Sequence, residues 1–149
     1  MHFSSRLTLA SHILLYLAEY QDKEKVTSEV LSHTTGANAV NVRKTLCLLK
    51  KAGLIEVRAG VGGTRLKKDP QDITLADIFD AVEDREEQIF PMHANPNQNC
   101  PVGRAISGVM SSRIKILEEA MHQKMEGMTL KAMQEDMHRG MKQEKNIRP

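Results

Sequence analysis

The sequence predicts a mainly α-helical fold: a winged helix-turn-helix domain, three helices plus a two-stranded wing, followed by a long dimerisation helix. Three observations predict it. Two short helical segments meet at a tight turn around Gly36. A basic amphipathic segment from Asn38 to Gly53 then runs straight into Leu54-Ile-Glu-Val57, a glycine-rich tip and a return strand. Far downstream, Pro101 opens an apolar stripe too long for so small a domain to cover. The expected organisation is a winged domain over 1–83, a loop over 84–100, and the dimerisation helix with a C-terminal helix over 101–149.

Each element has a local cause. In the first helix, Leu7, Ala10, Ile13, Leu14 and Leu17 recur at helical spacing after Ser4-Ser5, so one face is buried as far as Tyr20. Gln21-Asp-Lys-Glu-Lys25 is a polar turn. Thr27 then caps a short helix with Val30 and Leu31 inward, and Gly36 stops it. Asn38 caps the next helix, whose inward stripe is Ala39, Val42, Leu46 and Leu49, with Cys47 beside Leu46 expected to be packed. Gly53 ends that helix, Leu54–Val57 alternates as a strand should, Arg58 to Arg65 forms the tip, and Leu66 begins the return. Thr74 and Asp77 have capping-box spacing before Leu75, Ile78, Phe79 and Val82. The acidic, Pro- and Asn-containing stretch that follows reads as an exposed loop. Pro101 suits a first helical turn, and Val102, Ile106, Val109, Met110, Ile114, Leu117 and Met121 trace an apolar face towards Gly127. Thr129 caps a last helix with Leu130, Met133, Met137 and Met141 inward, ending in a polar tail expected to fray.

Composition narrows the function. With 149 residues and 40% hydrophobic content the chain can build a modest core. Aromatics make up 3% and Trp is absent, so it lacks platforms for stacking single-stranded bases, and duplex DNA is favoured over RNA. Residues 1–70 hold eleven Lys and Arg against six Asp and Glu, whereas residues 71–149 hold ten against thirteen. The basic half is the one expected to meet a polyanion. No apolar run approaches the roughly 18 residues of a membrane span, and Met1-His-Phe-Ser-Ser-Arg lacks a secretory layout. A cytoplasmic protein is expected. Two cysteines, Cys47 and Cys100, do not make a disulfide framework.

The segment from Asn38 to Lys68 carries Arg43, Lys44, Lys50, Lys51, Arg58, Arg65, Lys67 and Lys68 against the single acid Glu56. Phosphates attract such a helix and wing. Arg43 and Lys44 stand at the front of the recognition helix, where a merely solvated charged face is the bland alternative. Asn41 is read as a base contact, because asparagine pairs with adenine in bidentate fashion, while Asn38 is read as the cap. Arg58 and Arg65 flank the wing tip. The tip lacks the Lys-Ser/Thr ending of a phosphate-binding P-loop.

The order of these parts resembles the Rrf-two (BadM-type) family of bacterial winged-helix transcriptional regulators. The strings that carry the resemblance are Ser4-Ser5-Arg6 before Leu14-Leu15-Tyr16-Leu17-Ala18, Val42-Arg43-Lys44, Lys51-Ala52-Gly53-Leu54-Ile55, Gly62-Gly63 with Leu66, and Asn99-Cys100-Pro101-Val102-Gly103. The resemblance implies a homodimer through the long helix, a recognition helix in the major groove and a wing along the minor groove, with Arg58 at the minor-groove position. Thr64 departs from the aromatic residue usual there. Cluster-binding members use three closely spaced cysteines before the long helix, and here only Cys100 stands in that region, so no iron–sulfur cofactor and no metal are expected.

Cys100 is a sensor candidate, because the positive end of a helix dipole favours a thiolate that oxidants or electrophiles can reach. The bland reading is a small residue in a turn. The six His lack ligand spacing, and Met121, Met125, Met128, Met133, Met137 and Met141 fall at helical intervals as core or interface residues do. The sequence thus predicts a homodimeric, sequence-specific DNA-binding repressor with no catalytic residues. A thiol-dependent redox enzyme using Cys100 and a winged-helix protein-interaction module are the rivals.

Overall fold

The computed structural model describes residues 5–60, 62–83 and 89–147, with side chains of the last helix described to residue 143. The first four residues, Val61 of the wing tip, the acidic start of the loop at 84–88 and the last two residues of the tail lie outside the described residues. In chain order the elements are α1 (Arg6–Tyr20), α2 (Ser28–Thr35), α3 (Ala39–Lys51), β1 (Ile55–Arg58), β2 (Gly63–Leu66), α4 (Leu75–Val82), α5 (Pro101–Glu126) and α6 (Leu130–Ile147), with a short 3-10 turn at Pro70–Asp72.

The core is aliphatic, as the composition requires. Ala10, Ile13, Leu14 and Leu17 of α1 meet Leu31 of α2, Val42, Leu46 and Leu49 of α3, Leu54 and Ile55 at the wing base, and Ile78 and Val82 of α4. Helix boundaries follow local chemistry. Thr27 Oγ1 accepts the Val30 N–H at 3.3 Å, Asn38 Oδ1 accepts the Asn41 N–H at 2.9 Å, and Thr74 and Asp77 form a reciprocal capping box. Each satisfies an amide that the helix leaves unpaired.

Three expectations change at this level. Ala39 is only half-buried, and Thr45 takes its place in the inward stripe, its hydroxyl donating to the Asn41 carbonyl at 2.9 Å. Cys47 is exposed rather than packed, because one step past Leu46 turns a side chain by about 100° around the helix, out of the buried sector. The return strand begins at Gly63, not Leu66: the antiparallel register pairs Ile55 with Leu66, Glu56 with Arg65, Val57 with Thr64 and Arg58 with Gly63. Pairing across the turn reaches further towards the tip than the side-chain pattern suggests.

The C-terminal helix returns to the first. Leu130 is fully buried in the same core, and its N–H donates to the Ile73 carbonyl at 2.8 Å while Leu75 N–H donates to the Met128 carbonyl at 2.8 Å. Thr74 and Thr129 form an isolated antiparallel bridge. Further along α6, Gln134 and His138 both reach Glu19 of α1, at 3.1 and 2.7 Å. Helix α6 continues to Ile147, through the polar residues expected to fray.

Helix α5 is different. None of its residues is buried, and Val102, Val109, Met110, Ile116 and Leu117 are exposed. It is held to α4 by His122, whose Nε2 lies 3.0 Å from Asp80, and that hydrogen bond raises the His122 pKa above its ordinary value. No helix among the described residues is long and apolar enough to cross a membrane.

Candidate nucleic-acid interface

The helix-turn-helix is a closed network of short-range bonds. Gly36 adopts φ +70°, a left-handed conformation that costs glycine nothing, and its N–H donates to the Ser32 carbonyl at 3.1 Å. A Cβ there would meet nothing within 4 Å, so backbone conformation rather than space selects glycine. Ser32 Oγ donates to the Ala37 carbonyl at 2.7 Å, and Ala37 N–H donates to Thr35 Oγ1 at 3.3 Å. The angle between α2 and α3 is thereby set by side chains inside the turn.

With Val42, Thr45, Leu46 and Leu49 buried, α3 presents Val40, Asn41, Arg43, Lys44, Cys47, Lys50 and Lys51 outward. There is no acid in α3. The nearest is Glu29 of α2, 3.6 Å from the Arg43 guanidinium. Hydrogen bonds from its own amide and from Ser28 and Thr27 at the start of α2 lower the Glu29 pKa, with Arg43 a smaller cause. The pair is exposed on both sides, so it orients Arg43 weakly and gives way readily to a phosphate.

The wing is pinned to the turn between α1 and α2. Thr64 N–H donates to the Val26 carbonyl at 2.8 Å, Leu66 N–H donates to Gln21 Oε1 at 2.8 Å, and Lys25 Nζ donates to the Gly60 carbonyl. Gly63 has φ +64° and lies so close to this turn that a Cβ would stand 2.8 Å from the Val26 carbonyl oxygen. Thr64, at the position where the resemblance implied an aromatic ring, is buried against the same turn. These anchors involve Gln21 and Lys25, which the sequence shows only as a polar turn, and Val26 just after it, because nothing local signals a partner 35 to 45 residues away.

The two wing arginines part company. Arg58 is exposed on the last residue of β1 and bonds Glu56 Oε1 at 2.6 Å, two residues back on the same strand. Arg65 is turned inward: it donates to the Gln21 carbonyl at 2.6 Å and to the Asp22 carboxylate, and its side chain is only 28% exposed. Asn41, Arg43 and Lys44 share the outward side of α3, whereas Cys100 lies apart, at the N-cap of α5.

Cys100 is half-buried and its side chain makes no capping bond. Around it the chain is tight: Cys100 N–H donates to the Asn97 carbonyl at 3.2 Å, Arg104 reaches the Gln98 carbonyl at 3.1 Å, and a Cβ on Gly103 would collide with the Asn97 carbonyl. The loop is thus folded against the first turn of α5.

A helix-turn-helix followed by a pinned two-stranded wing, with cations on the outward side of the second helix, defines the winged-helix class of DNA-binding transcriptional regulators. Residues 3–136 match the family described as Rrf2, iron-dependent transcriptional regulator. The "Putative HTH-type transcriptional regulator YwnA" of Bacillus subtilis (strain 168) is 39% identical over 128 residues, covering 86% of this chain and 93% of that protein. A crystal structure described as a "putative DNA binding protein" is 35% identical, covers 87% of this chain and 98% of its own, and superposes with a TM-score of 0.70. Its fold is shared by T. potens IscR, 20% identical, with a TM-score of 0.68 over 92% of this chain and 88% of that one. The chain belongs to the Rrf2 family of transcriptional regulators.

The iron named in that family description does not fit the donors present. The two cysteines stand in α3 and at the start of α5, too few for a four-thiolate cluster, and among the described residues no three His, Cys, Asp or Glu side chains gather as a metal would need.

Proposed function

We propose that this regulator is a homodimeric repressor that lays α3 in the major groove and its wing along the minor groove, and that answers oxidants or electrophiles through Cys100. The observation that carries the DNA assignment is the outward side of α3, cationic at Arg43, Lys44, Lys50 and Lys51 and free of acids, beside a wing pinned by hydrogen bonds to Gln21, Lys25 and Val26. Arg43 and Lys44 meet phosphates, Asn41 meets a base edge, and Arg58 releases Glu56 to enter the minor groove. Arg65 contributes by holding the wing to Gln21 and Asp22, a supporting role in place of the direct contact expected from its position in the sequence.

Titration of the wild type, Arg43→Ala and Arg58→Ala against one selected duplex at fixed salt tests this. Arg58→Ala weakens binding by about 1–3 kcal/mol and Arg43→Ala lowers affinity together with its salt dependence. Affinities equal to wild type would remove both residues from the interface. Pairing of two copies is assigned to the exposed apolar side of α5, and regulation by small oxidants to the packed turn around Cys100.

A further inference from the structure

Val40 is the most exposed of the large hydrophobic side chains among the described residues, at 71%. It stands one residue inside α3, after the Asn38 cap, with Arg43 and Lys44 one turn further along the same side and no acid in the helix. Nothing in the fold uses it. A β-branched side chain in water at such a place gains no burial and has lower helix propensity than Ala, Lys or Gln. Its surroundings indicate what covers it. The cations beside it are complementary to DNA, and the first turn of a recognition helix is the part that approaches base edges. In the major groove a base pair exposes one apolar group, the C5-methyl of thymine.

We propose that Val40 is a specificity-determining residue that packs on a thymine methyl, so that each copy of α3 requires one T·A pair at a fixed place in its half-site. This rests on the DNA reading of α3 and adds the base that one of its side chains selects. The contact is non-polar and short, so it discriminates against C·G and against uracil while leaving phosphate contacts untouched.

The test begins with a duplex selected from a random library by the full chain. Each thymine is then replaced in turn by uracil, which deletes only the methyl. Wild type loses about fourfold in affinity at one thymine per half-site, the scale of one buried methylene, and Val40→Ala becomes indifferent there while still binding with the same salt dependence. At that position a C·G pair binds wild type less well than T·A, and 5-methylcytosine, which restores the methyl, recovers part of the loss. Because Val40 is exposed and Ala is the better helix former, the Ala variant melts no lower than wild type. Uracil tolerated at every thymine, or a uracil effect unchanged in Val40→Ala, overturns the assignment while leaving the DNA interface standing. Failure to select any duplex would overturn the DNA reading itself, and this inference with it.

Discussion

At the residue scale, what matters is how each candidate side chain is occupied before DNA arrives. Arg43 and Arg58 each lean on one exposed acid, Glu29 and Glu56, and both can exchange it for phosphate at little cost. Arg65 cannot do so without loosening the wing, since its guanidinium bridges β2 to the end of α1. These differences were not legible in the sequence, where three arginines in a basic segment look alike. Cys47 shows the same limit: proximity to Leu46 suggested packing, and only the centre of the buried sector, fixed by Thr45 as well as Leu49, puts it outside. Glycines and caps were legible, because Gly36 and Asn38 act through bonds that span three or four residues.

Cys100 carries a prediction at this scale. Thiolate attack on peroxide gives a sulfenic acid and hydroxide, adding an oxygen at a turn where Asn97 and Gly103 already touch. On the proposed reading, that added oxygen disturbs the turn. Wild-type protein treated with peroxide is therefore expected to release DNA, and Cys100→Ser to remain bound. Equal release from both, followed by fluorescence anisotropy, would move the signal to another residue.

At the element scale, α6 is held to α1 by Glu19. Hydrogen bonds from Lys23, then His138 and Gln134, lower its pKa to about 2. A carboxylate whose folded pKa is depressed adds stability that is fully present above its ordinary pKa and lost as pH falls through the folded value. The α1–α6 contact is thus expected to weaken from about pH 4.5 down to about pH 2. Amide exchange in α6 should accelerate over that window in wild type and show a flatter profile in Glu19→Gln. Superimposable profiles would assign the acid sensitivity to other carboxylates. The sequence foresaw α6 as a helix with Leu130, Met133, Met137 and Met141 inward, and of these Met141 is exposed instead; nor did it show that Glu19 would meet the helix, because the partners lie 115 or more residues apart.

At the scale of the whole molecule, the proposed pairing of two copies rests on the apolar side of α5. Val102, Val109, Ile116 and Leu117 are too many to stand wet on one helix, and a second copy offers the same surface by symmetry. Sedimentation at micromolar concentration should give twice the chain mass, and Leu117→Lys should shift it towards one chain with lower DNA affinity. The selected duplex should then show approximate two-fold symmetry, with half-sites about 34 Å apart. A wild-type protein that sediments as a single chain would leave α5 without its proposed role. The long helix was legible from its start at Pro101 and its periodicity. Its attachment to α4 through His122 and Asp80 was not, since it joins groups 42 residues apart.

The burial of Leu130 against Ile73 and α1 also has a consequence for how the chain is made. Translation at about 5–20 residues per second puts roughly 2–10 seconds between the emergence of Val82 and that of Leu130. Throughout that interval the nascent recognition helix and wing rest on an unfinished core, and α5 leaves the ribosome before the core can close. If α5 pairs two copies as proposed, neighbouring nascent chains on one messenger would expose that helix before either could grip DNA firmly, an order that would favour assembly of partners before the search for an operator begins.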